Sequence, residues 1–489
     1  MNALILLLIS PLIGAVLVFL LPSTNTLWLR RGALLSSVIS LVLSVYIYPS
    51  FSLSTAHTQL TISHEWNHDL GTTFSLGIDG FSYPLILLTT LLTFIALLAS
   101  KQINTYQRGY YSLVLMLEAA TLGVFMAQDW ALFYILWELV LIPLFFLLDR
   151  WGGKDRQAAS LNFVLYTMGG SVFLLLSLLV LFDYTTHHQF TFIAFREAAL
   201  KLNASEQALL LAGFIIGFGV KLPLFPLHGW LPLAYTHAPM PVSLLLSGIL
   251  SKMGAYGLIR AAELLPAGMQ VLQPILIILG IVGIIYGGLL AWRQTHLKTM
   301  IAYSSFSHMG MVMVGIACLN VIGLTGAVVQ MTAHALTAST LFLLAGWLKR
   351  QTNTYELSEY SGLGVKMPRL SLLLVLALAA GIGVPGSLSF VAEIHTMLGS
   401  YAYQWLLPAL LAFGMILTAT YSLSFMRSFA GPTAVKLQHT TDISRRELII
   451  ALVPLLLVWG LGLYPTPLLN LSQASIEYFT QVLLAGGIP

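Results

Sequence analysis

Long apolar runs recur along the whole chain and are separated by short polar stretches. Each run has about the 20 residues that an α-helix needs to cross a bilayer. The pattern therefore predicts an all-α integral membrane protein with about fourteen transmembrane helices. We number these predicted spans 1 to 14, and they cover residues 3–21, 32–50, 81–100, 110–128, 131–149, 158–182, 206–224, 240–262, 272–292, 297–317, 323–348, 369–398, 404–428 and 447–465.

The basic residues outside the apolar runs indicate how the helices are oriented. Of the 22 lysines and arginines, 17 fall on one face of the predicted bundle and three on the other. Cytoplasmic loops are enriched in Lys and Arg, so we expect the richer face to be cytoplasmic and both termini to be periplasmic or lumenal. The richer face carries Arg30, Arg31, Lys101, Arg108, Arg150, Lys154, Arg156, Arg293, Lys298, Lys349, Arg350, Lys366, Arg369, Arg427, Lys436, Arg445 and Arg446. The other face carries Arg196, Lys201 and Arg260, which leaves Lys221 and Lys252 inside spans 7 and 8.

The overall composition excludes several classes of protein. Only 8% of the residues are charged and 58% are hydrophobic, whereas a soluble domain carries roughly 25% charged residues. The single cysteine, Cys318, excludes a disulfide framework, a Cys-rich zinc site and an iron–sulfur cluster held by this chain alone. Because the topology accounts for the positive charge, we expect the lipid bilayer, and no nucleic acid, among the partners.

Several ionisable residues lie deep within the predicted spans. A charge at the bilayer centre costs at least about 2.5–3.5 kcal/mol. A structural ion pair, or a side chain that reaches an interface, would explain one such residue, but alternating Glu and Lys in five helices is typical of an ion or proton pathway. The residues are Glu118, Glu138, Lys221, Lys252 and Glu393, with His308 and His334 in two further helices.

A buried lysine beside a carboxylate can act as a proton switch. Burial disfavours the ammonium form and a nearby carboxylate favours it, so the lysine can release a proton when its partner moves away. We expect Glu138 and Lys221 to form such a switch. We expect Lys252, His308 and His334 to pass the proton onward, although hydrogen-bonded helix packing is an equal alternative for the two histidines.

Two predicted spans contain helix-breaking residues close to their charges. In span 7, Gly217 and Gly219 precede Lys221 and Pro223, and in span 12 a Gly-rich segment containing Pro385 precedes Glu393. Proline removes a helical hydrogen bond, and irregular backbone at membrane depth is tolerated only within protein or beside a wet cavity. Two broken helices five spans apart predict an inverted repeat of spans 4–8 and 9–13.

The repeat suggests a division of the chain into four parts. We expect three N-terminal helices in residues 1–109, a first repeat in residues 110–264, and a second repeat in residues 265–430. Residues 431–489 would then form the last transmembrane helix and a tail.

These stretches resemble the antiporter-like, proton-translocating subunits of complex I and the related Mrp sodium/proton antiporters, over nearly the whole chain. The matching stretches are Ile78-Asp79-Gly80-Phe81-Ser82, Trp137-Glu138-Leu139 through Pro143, Val220-Lys221-Leu222-Pro223, Leu227-His228-Gly229-Trp230-Leu231-Pro232, Gly248-Ile249-Leu250-Ser251-Lys252, Ala255-Tyr256-Gly257, Ser304 through Ser307-His308-Met309-Gly310, Gly383-Val384-Pro385-Gly386 and Phe390-Val391-Ala392-Glu393. Each stretch alone is weak evidence for the family, but their order along the chain and their depth in the predicted spans are specific to it.

The resemblance implies roles for individual residues. Glu138 and Lys221 match the family's ion pair, Lys252 its central lysine, and Glu393 its proton-exchange residue in helix 12. A glutamate at the last position resembles the middle antiporter-like subunit, chain 4 or M. The short segment after Tyr464 agrees, because the distal subunit continues into a long lateral helix.

One segment departs from the family pattern. The family continues Trp-Leu-Pro with Asp-Ala-His, whereas this chain has Leu233, Tyr235 and His237 in the same loop. The loop lacks the family's carboxylate and has its histidine at a different position, so we expect proton uptake to differ from the usual family route. We take His228 and His237 as accessory residues. Glu118 is also unusual for the family, either as a compensating acid or as a helix-packing partner. Such divergence fits a specialised paralogue, as in cyanobacterial complexes, including those devoted to carbon dioxide uptake.

The expected function is therefore proton translocation by a membrane-arm subunit of an NAD(P)H or ferredoxin:quinone oxidoreductase. The chain would share in that enzyme without a redox centre, cofactor or metal of its own. Quinone, iron–sulfur clusters and any flavin would belong to partner subunits, namely antiporter-like neighbours and a quinone-binding module. The expected location is a bacterial inner membrane or a cyanobacterial thylakoid membrane.

Three other functions remain open. A subunit of an Mrp sodium/proton antiporter would carry the same key charges, although the Leu-His-Gly-Trp-Leu-Pro and Ser-His-Met-Gly stretches favour complex I. A membrane-bound hydrogenase subunit is a weaker possibility. A purely structural scaffold would leave proton movement intact when the buried charges are substituted.

Overall fold

A computed structural model describes residues 3–484 and is mostly helical. Apolar runs become helices here because only a helix satisfies every backbone hydrogen bond within one segment of a membrane span. The helices are α1 (Ala3–Leu20), α2 (Thr26–Tyr46), α3 (Ser82–Ala99), α4 (Gln107–Met126), α5 (Trp130–Leu139), α6 (Leu141–Trp151), α7 (Arg156–Tyr184), α8 (Phe192–Ala199), α9 (Ala204–Lys221), α10 (Leu231–His237), α11 (Met240–Leu245), α12 (Ser251–Leu264), α13 (Pro266–Trp292), α14 (Leu297–Ala317), α15 (Val321–Thr352), α16 (Leu363–Lys366), α17 (Pro368–Ile382), α18 (Leu388–Tyr403), α19 (Leu407–Ser428), α20 (Arg445–Leu463) and α21 (Thr466–Leu484).

The described residues contain thirteen helical segments long and apolar enough to cross a membrane. Helices α5 and α6 form one of these segments, as do α11 and α12. The remaining predicted span, span 12, is a broken helix made of α17 and α18. With this broken helix included, the prediction of fourteen transmembrane segments is confirmed.

The two predicted breaks differ in how glycine is used. In span 12, Gly383 and Gly386 have φ angles of +80° and +96°, a conformation that glycine adopts without strain. In span 7 the helix stays regular through Gly217 and ends only at Lys221. A Cβ at Gly217 would lie 2.7 Å from Cβ of Leu174, so that glycine lets α9 pack closely on α7 rather than unwind.

Several elements lie outside the apolar runs and are not predicted by them. Strands β1 (Gln59–Asn67) and β2 (Thr72–Ile78) form an antiparallel hairpin. Asp129 anchors it, because its Oδ2 accepts hydrogen bonds from the amide and the hydroxyl of Thr73, both at 3.0 Å. The same carboxylate caps α5 through the amides of Ala131 and Leu132. Helix α21, which follows the last predicted span, is a further element of this kind.

Residues 3–223, 249–276 and 470–484 form one compact unit. Within it α9 packs against α7 and α12, while α1 and α2 pack against α4. The C-terminal part of α21 is anchored by Arg196, which donates to the hydroxyl of Tyr478 at 2.6 Å, and by the Ser475 hydroxyl, which accepts from the amide of Gly80 at 3.1 Å.

Residues 224–248 and 277–469 form a second compact unit. Its central element is the 32-residue helix α15, which packs against α11, α14, α17, α18 and α20. Because a helix surrounded by other helices can hold polar groups away from lipid, α15 is the element best placed to carry functional side chains. The division into two sequence repeats stays a prediction.

Two residues assigned to the membrane faces are buried instead. Arg260 forms ion pairs with Asp79 and, at 3.2 Å, with Glu263. Lys298 donates hydrogen bonds to the carbonyls of Thr236 and Ala238 at 3.1 and 2.6 Å. Counting charges in the sequence cannot distinguish a buried basic residue from an exposed one, because basic residues of both kinds lie near helix ends.

Candidate functional site

Lys221, the last residue of α9, is buried with an exposed fraction of 1%. Its Nζ donates a hydrogen bond to the carbonyl of Trp137 at 2.8 Å and lies 3.6 Å from the centroid of the same indole ring. A ring face attracts a cation, and the carbonyl replaces one lost water. The ammonium is therefore held by neutral groups.

Glu138 follows Trp137 in the last turn of α5 and attracts Lys221 electrostatically. Its Oε1 is buried, and no hydrogen-bond partner for it occurs in the part of the chain that the structure describes. A buried carboxylate oxygen without a partner is costly. Glu138 is therefore a second acceptor available to the Lys221 side chain.

Lys252 lies at the start of α12, directly after a π-helical turn at Leu246–Leu250. Its Nζ donates to the hydroxyl of Ser251 at 3.3 Å. A Cβ at Gly254 would lie 2.5 Å from the amide nitrogen of Leu222, so α12 approaches the lysine-bearing end of α9 backbone to backbone. Single π-helical turns occur frequently at functional sites.

In the second unit, His308 of α14 and His334 of α15 are buried close together, with ring centroids 5.6 Å apart. Nδ1 of His308 is hydrogen-bonded to the side-chain nitrogen of Gln330 at 3.1 Å. Gln330 precedes His334 by one helical turn, so α15 holds both groups on one face. This bond fixes the orientation of the His308 ring.

Both histidines line a small cavity that also contains Ser304 and Gly381. The cavity offers ≈ 20 Å³ to the centres of water molecules, and about 10–15 Å³ is enough for one water. A second cavity of ≈ 10 Å³ shares Ser304 and Gly381 with the first and is also lined by Tyr421. The Tyr421 hydroxyl donates to Ser304 at 2.7 Å, which places a hydroxyl pair where both cavities meet.

Glu393 of α18 lies beside the helix break and is 2% exposed. A Cβ built on Gly383 would lie 1.9 Å from its Oε2. That oxygen has no hydrogen-bond partner among residues 3–484, and the carboxyl interacts electrostatically with Tyr421. The glycine at the break therefore makes the space that the carboxyl occupies.

The accessory residues are placed differently from one another. His228 follows the break after α9 and stacks on Phe306, with ring centroids 4.2 Å apart and an interplanar angle of 6°. His237 ends α10 and lies within electrostatic range of His296, the N-cap residue of α14. Glu118 of α4 has Ser40 as its polar neighbour. Pro223 and Pro385 both lie in the irregular segments between helices.

His296 stands at the edge of the membrane span, where several charged groups meet. Burial lowers the pKa of His296, Glu356 opposes that shift, and Lys298, Lys349 and His237 add to it. Its Nδ1 is hydrogen-bonded to the hydroxyl of Thr299 at 3.1 Å. A neutral imidazole therefore caps α14 at neutral pH.

Sequence reasoning missed three residues of the second unit. Gln330 is hydrogen-bonded to His308, Ser304 lines both cavities, and Tyr421 lines the second cavity and interacts electrostatically with Glu393. Gln330 could have been found as a polar residue one turn before His334 in an apolar span. Tyr421 carries no such signal, since isolated tyrosines are common in membrane helices. Within residues 3–484 no group of three or more His, Cys, Asp or Glu side chains could hold a metal ion.

Comparison with known protein families identifies the relatives of this chain. A family model described as NADH:quinone oxidoreductase/Mrp antiporter, TM, matches residues 127–419, and one described as NADH-ubiquinone oxidoreductase chain 4, amino terminus, matches residues 5–126. The NAD(P)H-quinone oxidoreductase chain 4 1 of Picosynechococcus sp. is 41% identical over 473 residues, covering 93% of this chain and 87% of the relative. The chain belongs to the chain 4 family of NAD(P)H-quinone oxidoreductases. This confirms the resemblance drawn from the motifs.

Solved structures include chains with the same fold. A chain of respiratory complex I from Thermus thermophilus has a TM-score of 0.88 and 28% identity, with 98% of this chain and 99% of that chain covered. A chain of the Mrp complex from Dietzia sp. has a TM-score of 0.84 at 22% identity, with coverage of 99% and 55%. The second likeness shows the shared fold alone.

Proposed function

We propose that this chain 4 family member carries protons across a membrane as a membrane-arm subunit of a quinone oxidoreductase of the complex I type. The observation that carries the proposal is Lys221, a buried ammonium bound to the Trp137 carbonyl and ring while the Glu138 carboxylate stands beside it. A structural lysine would be fully paired. A lysine with two alternative acceptors can change its partner and its proton.

In the first unit, the proposed step is an exchange of acceptors by Lys221. When the ammonium turns from the Trp137 carbonyl to Glu138, the ion pair holds the proton on the lysine. When the pair opens, the buried amine releases its proton, and Lys252 on the adjoining helix receives it. Redox chemistry in partner subunits would drive this change by shifting a neighbouring charge.

In the second unit, the proposed path runs from His308 and His334 to Glu393. Water in the two cavities and the Ser304–Tyr421 hydroxyl pair would bridge the gap, since Ser304 lines both cavities and Tyr421 lines the second and interacts electrostatically with Glu393. Glu393 would then exchange the proton at the Gly383 break. A break that exposes backbone polar groups is also where water can reach the carboxyl.

Proton uptake would use histidine in place of the family's carboxylate. His237 and His296 lie together near Glu356, at the end of α10, the short helix that carries Leu233 and Tyr235. A neutral imidazole has a ring nitrogen that can accept a proton and pass it on. Exchange would occur on the face that we expect to be cytoplasmic.

The likeness to cyanobacterial relatives supports a more specific setting. We propose a thylakoid or bacterial inner membrane, with both termini on the lumenal or periplasmic side. The electrons, from NAD(P)H or ferredoxin, and the quinone, iron–sulfur clusters and any flavin would belong to partner subunits. Antiporter-like neighbours and a quinone-binding module would be the contacting partners.

Proton transfer measured together with quinone reduction in the assembled complex tests the proposal. We expect Lys252→Ala and Glu138→Ala each to slow proton transfer by ~10²-fold or more, the usual effect of removing a proton-transfer group. Lys201→Ala is the matched control, because Lys201 is exposed and donates to the Tyr184 carbonyl at the end of α7 and to the Thr186 hydroxyl, outside the proposed path. Normal proton stoichiometry with both test variants would contradict the pathway.

A further inference from the structure

Glu118 of α4 is a buried carboxyl that the proposed proton path does not use. It is 1% exposed, and within residues 3–484 neither of its oxygens makes a hydrogen bond of acceptable geometry. The polar group facing it is the Ser40 hydroxyl on α2. An acid in this position cannot be explained as half of an ion pair.

Helix α2 presents a row of hydroxyls toward this carboxyl. Ser36, Ser37, Ser40 and Ser44 are all buried along the inner face of α2. The Ser40 and Ser10 hydroxyls are 3.1 Å apart. One turn further along, Ser44 is hydrogen-bonded to the hydroxyl of Thr90 at 2.9 Å. We call Ser10, Ser40, Ser44 and Thr90 the hydroxyl row.

Close helix packing explains the serines but not the acid. A Cβ at Gly14 would lie 2.0 Å from Oγ of Ser36, so small residues bring α1 and α2 together, as in many membrane helices. An apolar residue in place of Glu118 would serve that packing better, since burying a carboxyl without a partner opposes folding. The acid therefore has a role of its own.

The chemistry of the row favours a proton over a metal cation as the ligand. Hard cations in proteins are surrounded by several oxygens. Within residues 3–484 no group of three or more His, Cys, Asp or Glu side chains could hold a metal ion, so Glu118 has no second carboxylate or imidazole with which to ligate one. A proton needs one carboxylate oxygen and a hydroxyl neighbour with which to exchange.

We propose that Glu118 is a proton-binding site of the N-terminal helices, which holds a proton in this structure and exchanges it along the hydroxyl row. The proton is bound covalently to one carboxyl oxygen and leaves as that O–H bond breaks, with a hydroxyl or a water as the acceptor. Ser40 and Ser44 lie one helical turn apart, about 6 Å along the helix axis, so transfer between them requires an inserted water or a rotation of the side chains. The site is independent of Lys221, so the proposal does not rest on the path described above.

Infrared difference spectroscopy of the assembled complex tests this site directly. We expect a carboxylic acid C=O band in the wild type that shifts in D₂O and is absent from Glu118→Gln. Wild-type and Glu118→Gln spectra that coincide in this region would overturn the proposal. The measurement does not depend on whether protons pass through Lys221, so the two proposals can fail separately.

A second pair of variants keeps the test decisive if Glu118→Gln does not assemble. Ser40→Ala removes the hydroxyl facing the acid and should displace the band. Ser37→Ala removes an equally buried hydroxyl whose one hydrogen bond within residues 3–484 is to the Leu34 carbonyl, and it should leave the band in place. Equal spectra for the two variants would overturn the proposal. A wild-type band lost when sodium chloride replaces potassium chloride would assign the site to a cation and overturn it as well.

Discussion

Gly383 shows how one residue can decide the geometry of a proton-exchange group. It combines a left-handed backbone with contact against the Glu393 carboxyl. The left-handed backbone favours glycine, and so does the close approach of the carboxyl. The same residue therefore forms the helix break and makes room for the buried acid. A change at this residue should therefore affect both the local fold and the proposed exchange.

We expect Gly383→Ala to destabilise the break by about 1–2 kcal/mol from backbone strain alone and to displace Glu393, because the new Cβ would overlap its Oε2. Gly460→Ala in α20 is the matched control, since a Cβ there meets no atom within 4 Å. Thermal unfolding of the purified complex and its proton-transfer rate measure the two effects. Equal behaviour of the two variants would show that the carboxyl does not need this space.

His296 provides a residue with a predictable pH dependence. Burial lowers its pKa below the ordinary value of 6.5, and its neutral Nδ1 accepts from the Thr299 amide at 3.4 Å. A histidine whose pKa is lowered on folding stabilises the fold above its unfolded pKa, and this stabilisation is lost as the pH falls through the lowered value. The α14 cap should therefore weaken at acidic pH.

Hydrogen exchange of the Thr299 amide measures this effect. Its protection should fall between neutral and acidic pH relative to the amide of Gly323, which the side chain of Asn320 caps at 2.8 Å without titrating. His296→Ala should remove the pH dependence and about 1 kcal/mol of cap energy at neutral pH. A constant ratio of the two protections across this pH range would contradict the account.

At the scale of whole elements, the side chain of Asp129 links the β-hairpin to helix α5. One carboxylate oxygen bonds Thr73 of β2, and the other caps α5. Because α5 carries Trp137 and Glu138, the hairpin and the proposed switch share this anchor. The hairpin thus has a structural link to the helix that holds Lys221.

Asp129→Ala should release the hairpin and lower the free energy of unfolding by about 1–2 kcal/mol through loss of the α5 cap. The loss should be larger if the amide and hydroxyl of Thr73 stay buried without partners. Amide exchange of residues 72–76 should accelerate strongly. Asp69→Ala, at an exposed position in the hairpin turn, should leave that exchange unchanged. Unaltered protection of residues 72–76 in Asp129→Ala would show that the strand pairing alone holds β2.

Sequence patterns predicted the helices well but the breaks only in part. Apolar length fixes a span because lipid leaves the backbone no alternative to a helix. Glycine is ambiguous, since Gly217 permits close packing whereas Gly383 permits a left-handed turn, and the two look alike in sequence. The hairpin was missed because it is short, polar and half exposed, and so carries little hydrophobic pattern.

At the scale of the whole molecule, the candidate residues separate into two compact units. Lys221, Lys252 and Glu138 belong to the first, whereas His308, His334 and Glu393 belong to the second. The sequence identified these residues by their charge in apolar surroundings. It could not predict that a backbone carbonyl holds Lys221 or that Ser304 and Tyr421 border the cavities, because such contacts depend on helix rotation and packing.

The central claim is that Lys221 carries protons because it can change acceptors. The most direct measurement is the number of protons moved per quinone reduced by the assembled complex with Lys221→Ala, compared with the exposed control Lys201→Ala. We expect the ratio to fall in Lys221→Ala, with proton transfer slowed ~10²-fold or more, and to stay at the wild-type value in the control. An unchanged ratio in an assembled Lys221→Ala complex would contradict the account.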